Sequence, residues 1–226
     1  MQTPISFDLL LANNLSQEKN NLLAQDLTEF VQILQKHKEK SNSDQAFLQK
    51  MLRKLHERYL IHYQEFSFLD DALARGRYDC LSGTLLVAYL LDTLGYKYSV
   101  CEMNYHVYLI VHLPNQDILI ESTDPYNGFV SNSAQIEAKE SEYDAKYVEH
   151  QQRGAKFYAS KVQIKKRINL LQLAGLQYYN KAVQEYNAKN YNAAIKDLKV
   201  ANKIYDCPRN QELLELSLQV TAQLSK

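Results

Sequence analysis

Residues 5 to about 70 carry a helical period. Leu22, Leu23, Leu27, Phe30, Val31, Ile33 and Leu34 recur at mixed spacings of three and four and end in the polar run Lys36-His37-Lys38-Glu39-Lys40. That pattern predicts an amphipathic helix with one apolar stripe. Ser41-Asn42-Ser43-Asp44 breaks it, and Ser43 or Asp44 can cap a following helix in which Phe47, Met51, Leu52, Leu55, Tyr59 and Leu60 return at helical intervals. The segment from about 80 to 94 is of another kind. Leu85, Leu86, Val87, Ala88, Leu90, Leu91 and Leu94 leave no polar face, which predicts a buried helix, and Gly95 is placed to cap its end.

After Gly95 the period changes from helical to alternating. Tyr96 to Met103, His106 to Leu113 and Asp117 to Thr123 are expected as strands, the last two joined by a turn at Pro114-Asn115-Gln116. In the middle strand Val107, Leu109, Val111 and Leu113 share one face and His106, Tyr108, Ile110 and His112 the other, so His106 points away from the more apolar row. In the third strand Ile118, Ile120 and Ser122 are in phase with Asp124. Residues 134 to 165 are charged and irregular and predict a surface connection with room for a short helix. From about Asn169 the chain is helical again. Asn180-Lys181-Ala182, Tyr186, Asn190 to Ile195, Leu198, Ala201 and Pro208 have the spacing of one tetratricopeptide unit. A single unit cannot bury its own apolar face, so it is expected to pack on the preceding domain, together with a last helix near Glu212 to Leu224. The expected division is a domain over 1–150 and a helical tail over 151–226.

A length of 226 residues suffices for one real core, with or without a helical appendix. Lys plus Arg number 26 and Asp plus Glu 26, so no summed field draws nucleic acid or an anionic membrane. The basic run Lys161-Val162-Gln163-Ile164-Lys165-Lys166-Arg167 is short, lacks interleaved aromatics, and is expected to be a solvated helix face. No window approaches the ~20 apolar residues of a membrane span. Cys80, Cys101 and Cys207 are too few and too scattered for a disulfide framework. Cys101, His106 and His112 are the nearest approach to a metal set, but in one continuous strand Cys101 and His106 would face opposite ways, and no metal site is expected. No leader is visible at Met1-Gln2-Thr3-Pro4-Ile5, which leaves a cytoplasmic protein or a trimmed exported one.

The chemistry concentrates on Gly76-Arg77-Tyr78-Asp79-Cys80. A cysteine at the edge of an apolar helix is commonly a small buried hydrophobe. Cys80, however, opens its helix, where unpaired N–H groups and the positive end of the dipole favour a thiolate. A nucleophilic thiolate needs an imidazole within reach and a group to orient that imidazole. His106 and Asp124 are placed to supply the two.

Gly-x-Tyr-Asp-Cys opening a buried helix, the strand Tyr105-His106-Val107-Tyr108-Leu109-Ile110-Val111, and Glu121-Ser122-Thr123-Asp124-Pro125-Tyr126-Asn127-Gly128-Phe129 together resemble the transglutaminase-like superfamily over roughly Phe66 to Phe129. The tail from Leu173 to Ala182 resembles the bacterial branch of that superfamily that carries a tetratricopeptide-like extension. The resemblance implies an α+β, papain-like core: a buried helix carrying Cys80 packed on a small antiparallel sheet, with N-terminal helices and a helical tail. It implies a catalytic triad of Cys80, His106 and Asp124, acting by acyl transfer through a thioester on a peptide or protein amide and needing no cofactor. Leu81 and Tyr108 stand where many transglutaminases have an aromatic residue and a tryptophan, so hydrolysis is favoured over crosslinking. No calcium loop is present.

Tyr78, Tyr105, Tyr108 and Tyr126 can line a substrate cleft or be ordinary half-buried residues, with Tyr78 and Tyr108 the candidates for substrate binding. Cys101 is expected as strand core and Cys207 as a helix-end residue. His112 is expected to be structural or solvated, and His37, His56, His62 and His150 to lie at the surface. The alternative to an enzyme is a catalytically silent binding module that holds a protein or peptide partner in the cleft and on the tail. The free thiol favours a reducing compartment and the branch resembled is often exported; the balance falls to the cell envelope.

Overall fold

The N-terminal apolar stripe becomes two long helices after a short first one: α1 (Phe7–Leu10), α2 (Gln17–Glu39) and α3 (Asp44–Arg58). The structure, a computed structural model, describes residues 7–13, 15–103, 106–152 and 164–224. Leu27, Phe30, Val31 and Leu34 form the buried side of α2, and Phe47, Leu48, Met51, Leu52 and Leu55 that of α3. Leu22 and Ile33 fall outside the stripe and are exposed. Ser43 caps α3 by accepting from the Ala46 amide at 3.2 Å. The chain continues through β1 (His62–Tyr63), α4 (Leu69–Arg75) and β2 (Arg77–Tyr78) to α5 (Cys80–Thr93).

As its composition predicts, α5 is buried on nearly all sides, with Leu85, Leu86, Val87, Ala88, Leu90 and Leu91 fully inaccessible. Burial of each larger side chain contributes about 1.5–3 kcal/mol. Gly95 takes a left-handed conformation (φ 79°). Its amide bonds Asp92 O and that of Tyr96 bonds Leu91 O, which closes the helix with a Schellman pair.

The remaining strands are β3 (Tyr98–Met103), β4 (Val107–Leu113), β5 (Gln116–Ile120), β6 (Phe129–Val130) and β7 (Lys165–Ile168), in the antiparallel order β6-β5-β4-β3-β7. Alternation divides the sheet as expected. Val107, Leu109, Val111, Ile118 and Ile120 join the large core around α5, while Tyr108, Ile110 and Leu119 form a smaller cluster with Cys101, Met103, Val130 and Ile136 on the other side.

Two expectations are corrected by this sheet. Residues 133–152 are α6 (Ser133–Gln152), a long helix covering the smaller cluster, not an irregular connection. Lys165 to Arg167 belong to the edge strand β7 and not to a helix face, because their backbone completes the ladder beside β3; Lys161 to Gln163 lie outside the described residues.

The tail comprises α7 (Leu170–Asn187), α8 (Tyr191–Ile204) and α9 (Pro208–Leu224). Tyr179, Ala182, Val183, Ala194, Leu198, Ala201 and Leu213 pack these helices together. Leu170, Leu173, Ala174, Leu176 and Tyr205 enter the same core as α5. Gln177 ties α7 to the N-terminal half, accepting from the Leu69 amide at 2.9 Å and donating to Leu10 O at 2.5 Å. The helical pair thus buries its apolar face on the domain before it, and β7 and α7, which follow the division expected at residue 150, join the sheet and the core of the preceding part.

Candidate functional site

Cys80 is the first residue of α5, and a capping box fixes it there. Asp79 is the N-cap: its carboxylate accepts from Ser82 N at 2.8 Å, while Ser82 Oγ accepts from Asp79 N at 2.9 Å. Cys80 is half-buried against the edge of the large core and opens on a cavity of about 390 Å3. The amides of Leu81 and Val107 act on its sulfur in favour of the thiolate, as the helix start predicts. Burial outweighs them, and the carboxylates of Asp79 and Glu121 add to it, so the thiol is pushed up from its ordinary pKa. The expectation that the helix start favours a thiolate is therefore corrected: burial and the two carboxylates outweigh the helix-end amides and favour the thiol at Cys80.

His106 lines the same cavity. It lies one residue before β4, and its carbonyl accepts from Met103 N at 2.9 Å across the hairpin. Through Val107, the residue that follows it, this end of β4 reaches the Cys80 sulfur.

The carboxylate on His106 is not Asp124 but Glu121. His106 Nε2 hydrogen-bonds Glu121 Oε2, which also accepts from the Tyr143 hydroxyl at 3.0 Å. Glu121 Oε1 accepts from Thr123 N at 3.0 Å and Thr123 Oγ1 at 2.7 Å. Burial alone would raise the pKa of Glu121; the bonds from His106 and Thr123 more than offset it and hold the carboxyl below its usual value. Asp124 serves the turn instead, accepting from Tyr126 N at 3.2 Å and Asn127 N at 2.8 Å, with Lys139 Nζ 3.7 Å away. The physical reason is where the strand ends: β5 stops at Ile120, so Asp124 lies in the following loop and strand phase no longer aims it.

Gly128 closes that loop. A β-carbon there would stand 2.2 Å from Glu121 O and 2.3 Å from Asp124 O, a close approach only glycine permits. Sequence alternation contained the signal for Glu121. With Leu109 opposite Ile120 in the ladder, the next step places Tyr108 opposite Glu121, on the face that His106 shares.

The two tyrosines expected to bind substrate do other work. Tyr78 is buried, with its ring edge-on to Tyr63 (6.0 Å) and to His56 (6.1 Å). Tyr108 lies beside the His106 ring with centroids 6.2 Å apart, and its hydroxyl donates to Glu140 at 2.7 Å. Neither lines the cavity; Tyr63 and Tyr179 do. Tyr126 is almost wholly exposed, and Tyr105 lies outside the described residues. Tyr143, from α6, which is longer than the short helix expected there, packs its ring 4.9 Å from that of His106.

His56 is half-buried, not superficial; burial lowers its pKa, and the Leu60 carbonyl partly opposes this. The side chain of His150 lies outside the described residues. Cys101 is strand core, as expected, and bonds Arg167, while burial pushes its thiol up to about 11. The parity argument against a Cys101–His106 pairing fails because two strands, not one, carry them: Cys101 pairs with Tyr108 and so shares the His106 face. Among the described residues no three His, Cys, Asp or Glu side chains gather as metal ligands. His112 is bonded to Asp117 and Ser99 at the surface. No helix among the described residues is long and apolar enough to cross a membrane.

The cavity wall comes from both halves of the chain. Cys80, Leu81 and His106 come from the first, and Leu176, Tyr179, Asn180, Val183 and Arg209 from the tail. Comparison of this chain with protein-family models, curated proteins and solved structures returns no match.

Proposed function

We propose that the protein performs cysteine-dependent acyl chemistry on a peptide or protein amide, within a transglutaminase-like core. The observation that carries this reading is one cavity lined by Cys80 and His106, with a buried carboxylate, Glu121, bonded to Nε2 of the imidazole. Glu121 takes the orienting role that the sequence assigns to Asp124. It fixes the ring and the tautomer, which leaves Nδ1 as the nitrogen for the thiol proton.

In this reading the Cys80 proton passes to His106 Nδ1 as the sulfur bonds the substrate carbonyl carbon, and the imidazolium is stabilised by Glu121. The proton then goes to the leaving amine nitrogen as the carbon–nitrogen bond breaks. Water attacks the thioester, His106 takes its proton, and the thiolate leaves and is reprotonated. A resting thiol suits this sequence, since the thiolate forms only with the imidazolium beside it.

The raised pKa of Cys80 also favours a second reading, a silent cleft that holds a peptide. Iodoacetamide labelling followed by peptide mapping separates the two. The enzyme reading expects Cys80 to be alkylated in the folded protein at least tenfold faster than the buried Cys207, and His106→Ala to remove that advantage. Equal rates at Cys80 and Cys207, or labelling only after unfolding, would favour the silent cleft.

A further inference from the structure

Arg209 is the one guanidinium or ammonium among the described residues lining the cavity. Its side chain is only 8% exposed. Nη2 is 2.6 Å from Glu102 Oε1, the guanidinium lies 4.7 Å from the Tyr179 ring centroid, and the buried Nε has no hydrogen-bond partner. Buried donors in folded proteins are nearly always paired, so a lone one on a cavity wall marks a position for an acceptor.

The charge around it selects an anion. Arg209 is the second residue of α9, a 17-residue helix with no acidic residue in its first turn, so the positive end of the dipole adds to the guanidinium. Lys166 Nζ stands 4.6 Å from the Tyr205 ring, whose hydroxyl donates to Glu102. Glu102 is the carboxylate paired with Arg209; Glu65 and Asp79 also line the cavity, so Arg209 marks the one place on the described wall that favours an anion. The contact is a close ion pair without hydrogen-bond geometry, since Glu102 Oε1 also has no hydrogen-bond partner, and it leaves donors of the planar guanidinium fork for a second planar acceptor.

We propose that Arg209 binds a carboxylate of the acyl substrate, either a peptide C-terminus or an acidic side chain, and thereby sets specificity from the tail. The proposal rests on the reading that this cavity holds the acyl substrate. It gives the tail helices a role as the recognition wall of the site, not as a separate docking module.

The test is protection of Cys80 from iodoacetamide, measured by mass spectrometry. The protecting probes are N-acetyl-glycine, N-acetyl-diglycine and N-acetyl-triglycine, the same peptides as C-terminal amides, and N-acetyl-Gly-Glu-Gly amide. At least one carboxylate-bearing probe is expected to halve labelling at a concentration tenfold or more below that of its neutral counterpart. Protection by the free acids identifies a C-terminus, and protection by the glutamyl amide a side chain. The paired variant Arg209→Gln with Glu102→Gln leaves no lone buried charge; it is expected to lose the carboxylate preference, read within that variant as the ratio of the acid and amide concentrations that halve its own labelling. Arg209→Lys, which keeps the charge but not the fork, is expected to lose most of it. Equal protection by acids and amides, or a preference that survives the paired variant, overturns the proposal while the acyl reading stands. No labelling of Cys80 in the folded protein overturns both.

Discussion

The two faces of the sheet are built for different tasks. On one, Val107, Leu109, Val111, Ile118 and Ile120 meet α5, and the core continues without interruption through α2, α3 and α7. On the other, a small cluster around Tyr108, Ile110, Leu119 and Ile136 lies under α6, next to the hydrogen-bonded set His106, Glu121, Thr123 and Tyr143. The first face fixes where Cys80 sits, and the second fixes how His106 is turned. The cavity opens where they meet, at the end of the sheet from which β4 starts. A cysteine can thus be held by an apolar core and still meet a polar network, because the network is built on the opposite side of the strand that divides them.

The comparison is tested most strongly by equal deletions on the two faces. Leu86 and Leu119 are both fully buried, one in each cluster. Leu to Ala in a core costs about 2–5 kcal/mol, and the cost depends on how far the surroundings can collapse. Leu86→Ala is expected near the upper end of that range in urea denaturation, because α5 is enclosed on all sides. Leu119→Ala is expected near the lower end, because its cover is a single helix. Equal losses would show that both faces are equally close-packed and would remove the distinction.

Next in size is the exchange of carboxylates. Glu121→Gln is expected to lower stability by about 1–3 kcal/mol, the range for disturbing a buried charged hydrogen-bond set, and to slow Cys80 alkylation. Asp124→Ala is expected to cost only its two exposed turn bonds, about 0.5–1.5 kcal/mol together, and to leave alkylation unchanged. The pH dependence has a definite sign. The Glu121 carboxyl is held below its unfolded value of about 4.3. Its contribution is therefore present above that pH and is lost as pH falls through the folded pKa, where the native state must take up the proton. Acid unfolding monitored by circular dichroism is expected to be steeper below pH ~4.3 in the wild type than in Glu121→Gln. An Asp124→Ala protein that loses alkylation while Glu121→Gln keeps it would return the orienting role to Asp124.

The first face was legible in the sequence and the second only in part, for physical reasons. The apolar run from Leu85 to Leu94 fits a buried helix whatever surrounds it, and Val107, Leu109 and Val111 alternate cleanly, so composition and period determine both. Asp124 takes the orienting role in the sequence reading because it is in phase with Ile118 and Ile120 and stands where the resembled family has its carboxylate, whereas the choice of Glu121 needs the ladder register. α6 was illegible because its long charged stretch buries few described apolar residues, Ile136 chief among them, and helical period is weak where one face is barely covered. β7 was hidden for a related cause: Lys165-Lys166-Arg167 has polar side chains, and only the backbone bonds to β3 make it a strand. Arg209 had no sequence signal at all, since its partner Glu102 lies more than a hundred residues away.

The smallest expected effect concerns the hydroxyl of Tyr143, the contribution of α6 to the polar face. Its ring stays against His106 in Tyr143→Phe, so packing is kept and a single bond to Glu121 Oε2 is lost. The remaining bonds from Thr123 and His106 keep the carboxylate satisfied. A loss of about 0.5–1.5 kcal/mol is expected, with Cys80 alkylation slowed by less than in Glu121→Gln. Tyr143→Ala also removes the ring and frees one side of the imidazole, so it is expected to slow alkylation further. If the phenylalanine and alanine variants label Cys80 equally fast, the ring has no part in holding His106, and the second face positions the imidazole through Glu121 alone.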